Sequence, residues 1–248
     1  MRIDSTANER IKAVRRLHRG RERRRTRQTL VEGPNLVTAA LEAGIVPVDV
    51  YTVDGGAPVA RCEAAGSTIV EVSGSVLEAI SSTVEPQDPV GVLAIPEPGG
   101  LETLRTVVAV EIGDPGNVGA LIRSAGALGW QIALIGGADP WSPKVLRASA
   151  GVQLSHPAVA IDELEQLVTI GLDPIATIVS GGIDPGSLEV DNPIALLIGN
   201  ETHGLPTTLV EHCVASLTIP IVPGVESLNA AVAGALAMFA LDRGEKQK

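Results

Sequence analysis

Residues Ile219 to Phe239, IPIVPGVESLNAAVAGALAMF, decide the fold of this chain. Leu217 to Ile219 is predicted as a short strand that ends at two prolines, and Ser227 to Asp242 as a long Ala-rich helix. Between them lies the polar turn Glu226-Ser227-Leu228-Asn229. Taken alone, this turn is a helix cap, because Ser and Asn side chains satisfy the free N–H groups of a first turn.

The same strand-then-helix order recurs upstream of this stretch. Predicted strands are Val107 to Ile112, Gln131 to Ile135, Ile175 to Val179 and Ile194 to Ile198, and predicted helices are Val118 to Leu128, Pro143 to Ala150 and Asp162 to Ile170. Such alternation predicts a parallel sheet covered by helices, with binding sites at the carboxyl ends of its strands.

Residues 5 to 95 repeat the pattern on a smaller scale. Predicted strands begin at Thr29, Val48, Thr68 and Val90, and predicted helices are Leu36 to Ala43 (capped by Asn35), Ala60 to Ala65 and Ser75 to Ser81. The Pro/Gly-rich run Pro96 to Gly100 is a linker candidate. We therefore predict an N-terminal domain at 1–95, a linker at 96–104 and a C-terminal α/β domain at 105–248.

Composition narrows the class of protein. Apolar residues make up 45% and aromatic residues only 2% of 248 residues, so the core must be packed from aliphatic side chains. No uncharged apolar run is long enough for a membrane span, and the Arg-rich start is unlike a secretory leader. The two cysteines offer neither a C-x-x-C pair nor a disulfide framework, which favours a cytoplasmic location. His203, His212 and Cys213 match no zinc spacing, so no metal is expected.

Charge is divided unevenly along the chain. Residues 1 to 27 hold eleven basic and three acidic residues, a net charge of +8, whereas the rest hold 8 basic and 26 acidic, a net charge of -18. Ile11, Val14 and Leu17 recur at helical spacing, so the arginines decorate a helix that can dock. We expect this segment to contact a polyanion such as RNA. The candidate contacts are Arg15, Arg16, Arg19, Arg23 and Arg24.

Two further polar loops follow apolar strands. Asn117 to Arg123 reads N-V-G-A-L-I-R, in which Asn117 is a natural N-cap and Arg123 lies about 9 Å along the helix. A lone Arg on an apolar helix favours a phosphate or carboxylate partner. Ile198 to Leu205 reads I-G-N-E-T-H-G-L, a polar loop between two glycines. Neither loop contains the glycine pattern of a dinucleotide or P-loop site.

The three loops, in this order, resemble the SpoU branch of the SPOUT methyltransferases, the TrmH-like RNA 2'-O-ribose methylases. The matching motifs are N-x-G-x-x-x-R at 117–123, I-G-x-E-x-x-G-L at 198–205 and I-P with E-S-L-N at 219–229. Residues 5 to 95 resemble the L30e-like substrate-binding domain of many members. The resemblance implies a C-terminal domain with a deep trefoil knot, a homodimer formed through that domain, and S-adenosylmethionine (SAM) as cofactor.

The resemblance also implies roles for individual residues. Gly199, Ile219 and Leu228 would bind the adenosine part of SAM, and Arg123 would be the catalytic arginine, often facing the cofactor of the other subunit. Asn117 and Glu201 would shape the site, and Ser227 and Asn229 would line the methyl-transfer centre. Asn200 departs from the small residue that is common at its position.

The implied reaction is 2'-O-methylation of a ribose, with ribosomal RNA favoured because of the separate N-terminal domain. Three alternatives stay open at this point: a transfer-RNA 2'-O-methyltransferase, a methylase of a base nitrogen, and a non-catalytic RNA-binding or ribosome-assembly protein. A nucleotide-dependent oxidoreductase fits the fold class but lacks its glycine fingerprint.

Overall fold

The structure, a computed structural model, describes residues 2–97, 99–189 and 192–245, with side chains described as far as 242. The chain forms two compact units: Met1–Glu97 together with Asp139–Ser155, and Pro98–Ala138 together with His156–Lys248. The sequence assigned all residues after 105 to the second domain, whereas the segment 139–155 packs with the first unit. Position 98 of the predicted linker lies outside the described residues.

The first unit contains a five-stranded mixed sheet. Its strands are β1 (Arg2–Ile3), β2 (Gln28–Glu32), β3 (Asp49–Thr52), β4 (Thr68–Val72) and β5 (Val90–Ala94), in the order β1-β4-β3-β5-β2. β4 pairs in parallel with β1 and β3, and β5 is antiparallel to β3 and β2. The sequence did not reveal β1, because two residues are too few for a periodic pattern.

Helices cover this sheet. They are α1 (Glu9–Arg16), α2 (Gly20–Thr26), α3 (Pro34–Glu42), α4 (Ala57–Ala64), α5 (Gly74–Ile80) and, from the later segment, α7 (Pro143–Ala148) and α8 (Val152–Ser155). The predicted docking of the basic segment is confirmed, since Ile11, Val14 and Leu17 are at most 4% exposed. Asn35 as the cap of α3 is wrong: Gly33 precedes the helix with φ 86° and Pro34 is its first residue.

The second unit is the predicted parallel α/β domain. Its strands are β6 (Thr106–Val110), β7 (Gln131–Ile135), β8 (Val159–Ala160), β9 (Asp173–Thr177), β10 (Ile194–Ile198) and β11 (Ala215–Leu217). The order is β11-β9-β10-β6-β7-β8, and every described pairing is parallel. β6 and β10 are buried along their full length, as expected of central parallel strands. The two-residue β8 was not predicted.

Helices connect these strands. They are α6 (Pro115–Leu128), α9 (Glu165–Thr169), α10 (Thr207–Glu211) and α11 (Ala230–Glu245), with a 3₁₀ turn at Pro185–Ser187. α11 packs closely against α6: a Cβ on Gly234 would lie 2.5 Å from Cδ1 of Leu121, so a larger residue would have to push the Leu121 side chain aside. Ala237 and Met238 are fully buried, which gives α11 a structural role. α11 begins at Ala230 and not at the predicted Ser227, so the polar turn is a loop.

A second close approach lies at the edge strand β11. A Cβ on Gly182 would lie 2.6 Å from the carbonyl carbon of Leu217. Ile183 donates its N–H to the Ser216 carbonyl at 2.8 Å, and Thr218 donates to the Ile183 carbonyl at 3.0 Å. The segment around Gly182 is thereby fixed against β11. The trefoil knot stays a prediction.

Candidate active site

A cavity of about 400 Å³ opens at the carboxyl ends of β9, β10 and β11. This is the edge at which parallel α/β sheets bind ligands, and the volume lies in the range of about 300 to 1,000 Å³ typical of small-molecule sites. Its walls come from three segments of the second unit: Thr177 to Val179, Ile198 to Gly204, and residues of the stretch Ile219 to Ala233. Two of the three sequence motifs therefore meet at one cavity.

Gly199 allows the loop after β10 to fold back on itself. A Cβ at this position would lie 2.4 Å from the carbonyl carbon of Gly204 and 2.5 Å from the nitrogen of Leu205. Both atoms belong to the backbone and cannot rotate away, so any larger residue must displace the loop. The glycine therefore sets the shape of the cavity wall.

Asn200, which the sequence marked only as a departure from the family pattern, holds the same loop. Its main chain exchanges two hydrogen bonds with Gly204, at 3.1 and 2.9 Å. Its side-chain oxygen accepts from the Thr202 and His203 N–H groups, at 2.8 and 3.3 Å. Its Nδ2 donates to the Glu111 carbonyl at 2.9 Å, at the end of β6. Asn200 thereby ties the loop after β10 to the neighbouring strand.

Asn117 connects all three motifs. Its Nδ2 donates to Oε1 of Glu201, and its Oδ1 accepts from Nδ2 of Asn229 at 2.8 Å. Asn229 also caps α11, because its Oδ1 accepts from the N–H groups of Ala231 and Val232. Three predicted site residues thus form one hydrogen-bonded chain.

Asn117 itself is not the cap of α6, contrary to the prediction from sequence. Asp114 is: its carboxylate accepts from the N–H groups of Gly116 at 2.5 Å and Asn117 at 3.0 Å, with Pro115 at the first helical position. The Asp-Pro pair was a sequence signal for this start. Because Asp114 satisfies the helix end, the Asn117 side chain is available to the network.

The predicted cofactor residues Gly199, Ile219 and Leu228 all line the cavity, together with Ser227. In the described part of the chain, the main-chain groups of Ile219 and Leu228 form no hydrogen bond with another residue. Leu228 is half-exposed and Ser227 exposed, as expected of side chains at the mouth of a binding site.

The chemistry of the walls fits a sulfonium ion that carries an adenosine group. Apolar side chains suit the flat adenine, and two carboxylates, Glu201 and Glu226, suit a sulfonium. The apolar residues with larger side chains are Ile178, Val179, Ile198, Ile219, Ile221 and Leu228. Ile178 and Ile221 were not predicted as site residues, because nothing in sequence separates them from core aliphatics.

Arg123 is not brought to the cavity within one chain. It is exposed on α6, does not line the cavity, and forms no ion pair or hydrogen bond among the described residues. Its position leaves the guanidinium available to a ligand or to a second chain.

In the basic segment, four of the five predicted RNA contacts are exposed: Arg15, Arg16, Arg19 and Arg24. Arg23 is the exception, because it is buried. Its side chain is 4% exposed and pairs with Asp139 at 2.6 Å, while Nη1 donates to the carbonyls of Leu17 and His18 at 2.8 and 2.9 Å. A buried, fully engaged guanidinium supports the fold and cannot contact RNA.

The described residues contain neither a metal-binding group nor a membrane-spanning helix. No group of three or more His, Cys, Asp or Glu residues is placed to hold a metal ion. None of the described helices is both long enough and apolar enough to cross a membrane.

Comparisons with known proteins agree with this geometry. Residues 105–239 match the family model described as SpoU rRNA Methylase family, and residues 8–91 match the MRM3-like substrate binding domain. The chain is 30% identical to the 23S rRNA (guanosine(2553)-2'-O)-methyltransferase RlmP of Bacillus subtilis, over 96% of this chain and 98% of that protein.

Two solved structures are also similar. An AdoMet-bound rRNA methyltransferase from Sinorhizobium meliloti is 30% identical, with a TM-score of 0.88 over 98% of this chain and 97% of that one. The SpoU methyltransferase AviRb from Streptomyces viridochromogenes, in complex with AdoMet, is 26% identical, with a TM-score of 0.85 over 96% and 98%. The family model covers more than half of the chain, so this protein belongs to the SpoU rRNA methylase family.

Proposed function

We propose that this protein transfers the methyl group of SAM to a ribose 2'-hydroxyl of ribosomal RNA. The observation that carries the proposal is the cavity at the carboxyl edge of the parallel sheet, whose walls are joined by the hydrogen bonds of Asn117 to Glu201 and Asn229. Both AdoMet-bound structures are similar over nearly the whole chain, and the relative from Bacillus subtilis is named as a 2'-O-methyltransferase of 23S rRNA.

SAM supplies an electrophilic methyl on a positively charged sulfur. We assign its adenosine part to the main-chain groups of Gly199, Ile219 and Leu228, which line the cavity. Glu201 is held in place by Asn117, and its carboxylate would balance the positive charge of the bound sulfonium. A site fixed in advance costs little reorganisation when the cofactor binds.

The attacking hydroxyl must be oriented and must lose its proton. We assign orientation to Arg123, whose guanidinium can bind the adjacent phosphate with two parallel hydrogen bonds. Arg stays protonated far above neutral pH, so the proton leaves through the phosphate, water or the exposed Ser227 hydroxyl.

Arg123→Lys tests this assignment, because it keeps the charge but loses the two-pronged geometry. We expect kcat to fall by roughly tenfold or more with SAM affinity unchanged. Near-full activity of the Lys variant at neutral pH would overturn the assignment of Arg123 to binding the phosphate through two parallel hydrogen bonds.

We also infer that the protein acts as a homodimer through the second unit. Val232, Leu236 and Phe239 follow one another at i, i+4 and i+7 on α11, and each is 46 to 50% exposed. An apolar stripe at helical spacing fits a partner surface, here a second copy of this chain. In such a dimer Arg123 would serve the cavity of the other subunit, which agrees with its absence from the walls of the cavity in its own chain.

Exposed arginines of the first 27 residues would supply salt-dependent attraction to phosphates, and the first unit as a whole would select the RNA. We propose a cytoplasmic location, because the relative from Bacillus subtilis, which is similar over nearly the whole chain, is named as a methyltransferase of 23S rRNA. The experiment is nucleotide-resolution mapping of 2'-O-methyl groups in total RNA from cells with and without this gene. One ribosomal position should lose its methyl group, and an unchanged map of ribosomal RNA would refute the proposal.

A further inference from the structure

A second cavity, of about 120 Å³, lies in the first unit between helices α1 and α2 and three adjacent strands of the sheet. The strands contribute Gln28 from β2, Asp49 and Tyr51 from β3, and Val92 from β5. A single water molecule needs only about 10 to 15 Å³ of such volume, so the cleft has room for a small planar group rather than one water. We refer to it as the α1/α2 cleft.

The Arg10 guanidinium forms a rigid wall of this cleft. Its Nη2 pairs with Asp49 at 2.5 Å and its Nε donates to the Tyr51 hydroxyl at 3.0 Å. Tyr51 is fully buried, its ring centroid lies 5.8 Å from Cζ of Arg10, and burial raises the pKa of its hydroxyl to about 12, so it stays neutral. The Arg10 side chain is still 33% exposed. The guanidinium is therefore fixed in orientation while part of it remains open to a ligand.

The other charged groups of the cleft differ in how far they are engaged. Arg25 donates from Nε and Nη2 to one oxygen of Glu22, at 3.1 and 2.8 Å. The Arg16 side chain is exposed and, in the part of the chain that the structure describes, makes no hydrogen bond or ion pair. With three arginines against Glu22 and Asp49, the cleft carries a net charge of +1. The cleft therefore favours a ligand that places one anionic group at the mouth of the cleft.

Gln28 supplies the hydrogen-bonding edge. It is half-buried at the start of β2, lines the cleft, and its amide forms no hydrogen bond with another described residue. An amide has two donors and an acceptor, the set that reads the edge of a nucleobase. The cleft thus combines the planar Arg10 guanidinium, the Gln28 amide and the exposed Arg16 guanidinium.

We propose that the α1/α2 cleft binds one unstacked nucleotide of the RNA substrate, with its base against the Arg10 guanidinium and Gln28 and its phosphate on Arg16. Unpaired RNA bases stack on guanidinium planes as well as on aromatic rings, and this chain is only 2% aromatic. Helices α1 and α2, which form two sides of the cleft, belong to the segment of +8 net charge, where a polyanion would approach. The inference rests on the proposed function, because it takes RNA as the substrate.

The first test uses NMR of the full chain with each of the four ribonucleoside 5'-monophosphates, and with inorganic phosphate as a separate probe. We expect nucleotides to shift the Gln28 side-chain amide and the Arg10 Nε–H signals, with one base preferred, and phosphate alone to shift neither appreciably. Arg16→Ala should weaken nucleotide binding, whereas Lys12→Ala should not. Lys12 is the matched control because it is exposed on the same helix but does not line the cleft.

The second test measures binding of a 23S rRNA transcript at several salt concentrations. Gln28→Ala should weaken binding by about threefold to tenfold without changing the salt slope, because it removes hydrogen bonds and no charge. Arg15→Ala and Arg16→Ala should each lower the slope by about one. Unchanged melting temperature and SAM affinity in Gln28→Ala would show that the variant is folded.

Two results would overturn the cleft as a nucleotide site. They are the absence of nucleotide-induced shifts at Gln28, and a Gln28→Ala variant that binds rRNA within twofold of the parent. Equal shifts from phosphate and from nucleotides would overturn base recognition. The methylation map is read separately, so a failure of the proposed function shows as an unchanged map whatever the cleft binds.

Discussion

Replacing Gly199 by Ala should damage cofactor binding more than folding. The added Cβ would lie 2.4 Å from the carbonyl carbon of Gly204, whereas ordinary contact begins at 3.4 Å. One side of the loop must therefore move by about 1 Å. The loop carries Glu201, which is bound to Asn117, so the displacement alters the cavity wall and the network together.

The size of the effect follows from these contacts. Overpacking of this kind costs about 1 to 3 kcal/mol, and part of it falls on an exposed loop that can yield. We expect a modest loss of stability, about 1 kcal/mol, and SAM affinity at least about tenfold weaker because the wall that faces the cofactor moves. Isothermal titration calorimetry with SAM and thermal unfolding measure the two quantities.

Gly74→Ala is the control. Nothing lies within 4 Å of its added Cβ and its φ is not positive, so a helix position gains Ala at no steric cost. Its SAM affinity should match the parent. If Gly199→Ala bound SAM as tightly as Gly74→Ala does, the close approach of the loop would not shape the cofactor site, and the reasoning would be refuted.

Three further predictions concern single side chains. Leu228→Ala should weaken SAM binding severalfold with little change in melting temperature, because Leu228 lines the cavity but is only half-buried; equal affinity by calorimetry would contradict this. Arg23→Ala should destabilise the chain by about 2 to 4 kcal/mol in urea unfolding, because it leaves Asp139 without its ion-pair partner. The control variant Arg24→Ala should not, because Arg24 is exposed, and similar values for both variants would be evidence against a structural role of Arg23. Burial raises the pKa of the Cys213 thiol to about 11, so the rate of its alkylation should be small at pH 8 and rise about tenfold per pH unit. A rate that reaches a plateau below pH 9 would contradict this prediction.

The fold was largely predictable because its signals are local. β6, β7, β9 and β10 are short apolar runs between turn residues, and helices such as α6 follow most of them. Element ends were less predictable, because capping depends on competition between neighbours. Asp114 caps α6, although Asn117 could also have done so from its position in the sequence. α11 is capped by Asn229 and therefore does not start at Ser227.

The site was predictable as a set of loops but not as a set of contacts. The sequence placed Asn117, Glu201 and Asn229 in three distant motifs, and only the parallel sheet order brings them into hydrogen-bonding distance. Arg23 shows the opposite failure. In sequence it is one of many arginines, and its burial depends on Asp139, more than one hundred residues away.

The central claim, that this cavity serves ribose methylation of ribosomal RNA, is tested most directly by one measurement. Purified protein, SAM labelled in its methyl group and ribosomal RNA from cells that lack the gene are incubated, and the labelled nucleotide is identified by mass spectrometry. The account predicts one 2'-O-methylated nucleotide in that RNA, with little or no label when Arg123→Ala replaces the parent protein. Label on a base nitrogen, or no label in ribosomal RNA, would contradict it.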